Sequence, residues 1–467
     1  MSLMRLNRTQ PSPQAARLPA VRTALAAAVF MAAGLTVYFW RDANQFARYH
    51  AFLLLAVGSG LFAANILANT YPPRTLLFYF CCVFCVFHFG IAPIFLFPEY
   101  MSKANTKFSF DWYWDFQRIQ KAHVISLVFL LGLLIASFLP EPGFRAGRGL
   151  ASQSNPGRTY FISNIALVAS SVVWLLLVRF TGAINYADFM ETIETVGTGG
   201  AFGYVHGAID AAFILAIVSG RALLPLSLFL SWGLIAFTFG LRRELAFPLV
   251  VAIGVLVSQR RLLISIWVLV VGALLFFGAS ALVSTARVSS GAHTRFDSTA
   301  VANGLAELGG SLRPVYEVID WVDHDGYQLG VTYYAPFERT LLRVIPGAHR
   351  IPSEEDFRLT HVLMASRLGP FGFSIAAEAY YNFGLFGTFL VGGFVGWILV
   401  ACGNVFASRR ISIVPIALAV GLFVHVRQSF VTCYGATIST LFFCIFILLL
   451  ARFFSDESKM VAIHRRP

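Results

Sequence analysis

Two clusters in this 467-residue chain have residue types and spacing suited to chemistry. Arg242, Arg243 and Glu244 stand side by side in a very short polar turn between two apolar runs. Two adjacent guanidiniums at a helix start can grip a phosphate or pyrophosphate in bidentate fashion. Glu378 and Asn382 stand four residues apart, where a long polar stretch runs into another apolar run. If a helix begins near Ser374, both face one side, and Tyr381 lies one residue from that stripe. A carboxylate at a boundary between water and lipid can have a raised pKa and act as general base toward a hydroxyl. Such a place can bind a polar substrate that is anchored in lipid. The plainer alternatives are arginines that snorkel toward headgroups and a glutamate that caps or packs its helix.

The polar stretch, residues 284–375, supplies further candidates. It carries eight arginines, Arg313 and Arg367 among them, and about ten acids that include Glu307. Ion pairing within the stretch accounts for most of these charges. Glu307-Leu-Gly-Gly310 followed by Arg313-Pro reads as a helix meeting a turn. His361 is a lone histidine, more often structural than functional. Arg427 sits in His425-Val-Arg427-Gln428-Ser429, at the end of an apolar run. Trp112, Tyr113 and Trp114, between Asp111 and Asp115, suit a membrane interface, or alternatively a stacking platform for a sugar. Cys82-x-x-Cys85 has a metal or redox spacing, but it lies among phenylalanines with no second pair, so apolar packing explains it. No His/Asp/Glu cluster has metal spacing. No Walker A sequence and no Gly-x-Ser-x-Gly elbow is present, and the glycines at 197–203 follow no strand.

The elements that must position these residues are membrane helices. The chain is 57% hydrophobic and only 12% charged, against about 25% charged in soluble globular proteins. The fold class is an all-α polytopic integral membrane protein, one domain over 1–467 with the 284–375 insert and its short helices. About twelve spans are expected, at roughly 24–40, 50–69, 75–97, 123–139, 161–179, 204–220, 222–240, 245–259, 262–283, 377–401, 411–426 and 435–452. With twelve spans both termini lie on one side, and the arginines near the termini and between spans make that side cytoplasmic. The net charge of +12 then reflects basic cytoplasmic loops and not nucleic acid. The first run follows four arginines without a convincing cleavage site, so it reads as an uncleaved span. The Arg242 turn and the 284–375 insert face outward.

In their order along the chain, several pieces resemble the Wzy-type polymerases, the oligosaccharide repeat unit polymerases of bacterial surface polysaccharides. They are the Arg242-Arg243-Glu244 turn with its span ending at Arg260-Arg261; Glu307-Leu-Gly-Gly310; Gly330-Val-Thr-Tyr333 and Ile345-Pro346; Gly372-Phe-Ser374 with Glu378-Ala-Tyr380-Tyr-Asn382-Phe-Gly384; and Arg427-Gln-Ser429. The resemblance covers roughly residues 160–450. It implies an inner-membrane glycosyltransferase acting at the periplasmic face. Such an enzyme joins undecaprenyl-pyrophosphate-linked oligosaccharides into O-antigen, capsule or exopolysaccharide, with no metal and no cofactor. Membrane lipid and a chain-length regulator are the other partners. In that reaction Arg242, Arg243, Arg313 and Arg427 would stabilise the pyrophosphate charge, which can contribute several kcal/mol. Glu378, or else Glu244 or Glu307, would serve the acceptor hydroxyl. Asn382 and Tyr381 would hydrogen-bond sugar, with Arg367 and His361 completing the outward set. Rival readings are an O-antigen ligase that moves polymer to lipid A-core, a transporter or flippase of lipid-linked sugar, and a non-catalytic assembly protein.

Overall fold

The structure is a computed structural model, and it describes residues 13–96, 111–139, 155–182, 199–262, 300–349, 351–369 and 372–464. Among the described residues the chain is helical, with no strand. The helices are α1 (Pro13–Phe39), α2 (Phe46–Thr70), α3 (Thr75–Phe89), α4 (Phe116–Ala136), α5 (Pro156–Thr181), α6 (Gly199–Ser219), α7 (Leu223–Thr238), α8 (Arg242–Ser258), α9 (Ala300–Gly309), α10 (Arg313–Asp325), α11 (Val331–Val344), α12 (Thr360–Leu368), α13 (Ile375–Ala407), α14 (Ile413–His425) and α15 (Phe430–His464).

Eight of them are long and apolar enough to cross a membrane: α1 to α6, α13 and α15. Of the twelve expected spans, the seventh and eleventh are the shorter apolar helices α7 and α14, of 16 and 13 residues, and the eighth is the 17-residue α8, which opens on Arg242, Arg243 and Glu244. A helix of that length falls below the ~20 residues that cover the hydrocarbon. Of the ninth expected span, 262–283, all but residue 262 lies outside the described residues, as do 284–299, 350, 370 and 371 of the insert. The rest of the insert contains short helices, as expected.

Small residues set the contact between α4 and α13. A Cβ on Gly132 of α4 would come within 2.3 Å of the Phe389 carbonyl of α13, and one on Gly392 within 2.4 Å of the Phe129 carbonyl. Side chains there would force the backbones apart, and lipid supplies no hydrophobic drive to hold two apolar helices together, so close van der Waals contact must do it. Backbone ends are satisfied by polar side chains. Gln120 of α4 donates from Nε2 to the Val37, Tyr38 and Trp40 carbonyls that end α1. In the 111–115 segment Tyr113 is fully buried and hydrogen-bonds His50 and His123, while Asp115 caps α4 through the Arg118 N–H. That places Tyr113 in the core and not on a sugar platform.

The insert is seated on the spans. Helix α10 buries Val315, Val318, Ile319 and Trp321 against α4 and α13. Its polar face meets α4: Arg118 lies 3.3 Å from Asp320 and 4.3 Å above the Tyr316 ring, and Lys121 lies 3.8 Å from Asp323. Helix α13 is broken at Gly384, whose φ of 67° and ψ of −163° suit glycine alone. The break releases the Tyr381 and Asn382 carbonyls from the helix ladder. The backbone N–H groups of Gln328 and Leu329 take them at 3.0 Å each. The kink therefore docks the α10–α11 turn onto the helix that carries Glu378.

Candidate functional site

Glu378 does not stand at the water boundary that the sequence suggests. It is fully buried in the first turn of α13. Its Oε2 accepts from the Phe430 backbone N–H at 2.7 Å and lies 3.2 Å from His425 Nε2. Its Oε1 accepts from the Thr360 hydroxyl at 3.4 Å. One carboxylate thus joins the start of α12, the end of α14 and the start of α15. Arg427 lies between the two residues that Glu378 holds on the 425–430 turn. The Arg427 guanidinium sits 5.5 Å from the Phe87 ring at the end of α3.

Asn382, also fully buried, uses its whole amide inside the fold. Oδ1 accepts from the Gly330 N–H at 2.9 Å, and Nδ2 donates to the Thr332 hydroxyl and the Glu378 carbonyl. Tyr381 is buried edge-on against Trp321, their ring centroids 5.8 Å apart. Arg367 lies exposed over the other side of that indole at 5.1 Å and pairs with Asp325 at 2.8 Å. His361 is exposed at the start of α12, next to Thr360. Arg313 pairs one turn along α10 with Glu317 at 3.3 Å.

The arginine turn starts α8 and is built differently at each residue. Arg242 is buried and forms a two-pronged pair with Glu307, both contacts at 2.9 Å. Two glycines allow that meeting: a Cβ on Gly309 would lie 2.2 Å from the Ile91 nitrogen, and one on Gly90 2.9 Å from the Leu305 carbonyl. Helix α9 therefore lies directly on the end of α3, and Glu307 reaches Arg242. Phe87 also packs against Phe247 of α8, 5.8 Å between centroids. The end of α3 is thus the junction where Arg427, Arg242 and Glu307 gather.

Arg243 points the other way, half exposed, and pairs through Nε with Glu244. Glu244 is nearly buried and interacts electrostatically with His206 and Asp210 of α6 as well. These two residues were missed by the sequence reading. The available signal was an ionisable pair at i and i+4 inside a span, since charge within hydrocarbon is costly and marks function. Trp174 of α5 donates from Nε1 to His206 Nε2 at 3.0 Å. That bond requires a lone pair on Nε2, so the neutral ring carries its proton on Nδ1. Beside it the Trp232 indole N–H is buried without a hydrogen-bond partner.

The arrangement can hold an anion beside a proton acceptor. Arg243 offers positive charge at the start of α8, and the Glu244 and Asp210 carboxyl groups offer proton-binding atoms beside it. Around Glu378 the polar groups serve one another instead. Among the described residues no group of His, Cys, Asp or Glu could hold a metal ion. The six cysteines are free.

The family model described as "O-antigen polysaccharide polymerase Wzy" matches residues 24–458 of the chain. "Protein CapE" of Staphylococcus aureus is 25% identical over 244 residues, which are 51% of this chain and 54% of that protein. The chain thus spans about half the length of this relative. No solved structure matches.

Proposed function

Because the chain belongs to the O-antigen polysaccharide polymerase Wzy family, we propose that it joins undecaprenyl-pyrophosphate-linked oligosaccharide repeat units at the periplasmic face of the inner membrane. In this reaction an acceptor sugar hydroxyl attacks the anomeric carbon of the donor chain. A carbon–oxygen bond forms there, the bond to the pyrophosphate oxygen breaks, and undecaprenyl pyrophosphate leaves. The hydroxyl proton must go to a base.

Arg243 and Arg427, with Arg242 held by Glu307, take the pyrophosphate charge. Guanidiniums fixed before the reaction stabilise developing charge without reorganising, which is where most of such a rate gain lies. Glu244 and Asp210 take the proton, and His206, whose lone pair already accepts from Trp174, positions them. Glu378 acts at one remove, by holding the 425–430 turn that presents Arg427. Arg313 and Arg367 line the approach from the insert, with Tyr381 beneath and His361 beside it. The inward face of the chain carries both termini, and a chain-length regulator meets the protein from the periplasmic side.

The observation that carries this reading is the Arg243–Glu244 pair at the start of α8 beside His206 and Asp210 of α6, in a chain of this family. It is tested by the surface polysaccharide and lipid-linked intermediates of a strain lacking the gene. Collapse of the ladder to core plus a single repeat unit supports a polymerase. Long chains that persist on the lipid carrier and never reach core would identify a ligase. An unchanged profile would leave the transporter and assembly readings.

A further inference from the structure

Helix α11 is amphipathic with its apolar side outward. Tyr334 is 50% exposed, Phe337 48%, Leu341 64%, Val344 78% and the following Ile345 55%. Steps of three, four, three and one residues put them on one stripe. The opposite side is fixed inward: Thr332 and Ala335 are buried, and Arg339 binds Asp356 at 2.8 Å, the Ser353 hydroxyl at 2.7 Å and the Ile351 carbonyl at 2.9 Å. A helix facing water would carry the reverse pattern.

The stripe is continuous with the lipid-facing surface of two spans. Phe337 packs on Phe430 and Tyr434 in the first turns of α15, at 5.9 and 4.7 Å, and the Tyr434 hydroxyl donates to Thr340 at 3.2 Å. From Tyr434 the exposed residues Ile438, Phe442 and Phe446 run down α15 at four-residue steps. On the other side Tyr333 stacks on Phe383, the first of the exposed apolar residues of α13, followed by Leu385 and Phe386. Helix α11 therefore lies across the ends of two spans, at the level where their lipid contact starts.

We propose that α11 lies in the headgroup–acyl boundary of the bilayer leaflet on the insert side, with Tyr334, Phe337, Leu341, Val344 and Ile345 immersed in lipid. An apolar helix face of this width binds such a boundary without crossing it. The covering partner is bilayer lipid, because the stripe merges with surfaces that lipid already covers. The inference holds whatever reaction the chain performs. It also sets the plane of the insert: Phe430, against which α11 packs, is the residue whose N–H holds Glu378.

The test is site-directed labelling in the full chain reconstituted into lipid vesicles. Leu341→Cys and, separately, Val344→Cys are labelled with a polarity-sensitive fluorophore, with His324→Cys as the water-facing control. The native cysteines are buried or half-buried, so labelled wild type gives the background. Phospholipid carrying a nitroxide near its headgroup should quench positions 341 and 344 about twofold more than aqueous iodide does, with the order reversed at 324. Equal quenching by iodide at all three sites would overturn the proposal. So would protection that vanishes when the protein is diluted in lipid, which would mean a second copy covers the stripe. Protection that requires added polyprenyl pyrophosphate would overturn it too, by assigning the stripe to a substrate tail.

Discussion

The Phe430 backbone N–H donates to Glu378 Oε2 at 2.7 Å, and Arg427 stands three residues before that donor. With His425 at the other end of the turn, Glu378 holds both sides of the residue proposed to meet the pyrophosphate. Glu378→Ala should strip partners from buried groups at a cost of about 1–3 kcal/mol each. Glu378→Gln keeps an acceptor for Phe430 and should cost less. If Glu378 positions Arg427, chain growth falls in step with the thermal stability of the solubilised protein across the two variants. A Glu378→Gln protein of wild-type stability with no polymerisation would instead make Glu378 the base.

Arg242 and Glu307 form a planar pair that lysine cannot reproduce. Arg242→Lys should lower polymer yield about a hundredfold, comparable to the loss of one preorganised donor in other enzymes. Glu307→Gln should lower it less, since one contact survives. The readout is the polysaccharide ladder, normalised to the amount of protein in the membrane.

Asp210→Asn should reduce the transfer rate by about a hundredfold, the usual share of a general base. Binding of undecaprenyl pyrophosphate should stay near wild type, because the arginines are untouched. Measured together, turnover and binding separate this role from a packing role, which would damage both.

Gly384→Ala should destabilise the protein by about 1–3 kcal/mol. The backbone there has a φ that L residues avoid, and the Tyr327 hydroxyl lies 3.0 Å from where the new methyl would sit. Thermal denaturation of the solubilised variant checks it.

The 351–359 strap should loosen in acid. Burial pushes the Asp356 carboxyl up, but hydrogen bonds from Arg358 and Arg339 outweigh it and hold the group below the usual carboxylate range. A carboxyl depressed in the folded state adds stability above its unfolded pKa of about 4, and loses it as pH falls through the folded value. Proteolysis of the strap should therefore rise below about pH 4 in wild type. In Asp356→Asn it should be fast at every pH.

Hydropathy made most of the fold legible, because a span must be apolar over its whole length. It expects spans at α7, α8 and α14, which are shorter helices of 16, 17 and 13 residues, α8 opening on Arg242, Arg243 and Glu244. Arg242-Arg243-Glu244 was legible because adjacent charges between apolar runs have few structural uses. The roles within it were not: one arginine pairs with Glu307, 65 residues away, and no local pattern records that. Glu378 and Asn382 were correctly placed on one side of a helix. Their burial was not legible: the 328–330 turn docks on Asn382 at the Gly384 kink, and Thr360, His425 and Phe430 close over Glu378. His206 and Asp210 were readable as an i, i+4 pair inside an apolar run, but only the packing of α6 on α8 brings them to Glu244.

The most direct measurement uses the purified protein in lipid nanodiscs with a single lipid-linked repeat unit as both donor and acceptor. The account predicts a ladder of lengthening products, one undecaprenyl pyrophosphate released per new linkage, and near-complete loss of both in Arg243→Ala. No chain growth from that substrate, with transfer only when a lipid A-core acceptor is added, would contradict it.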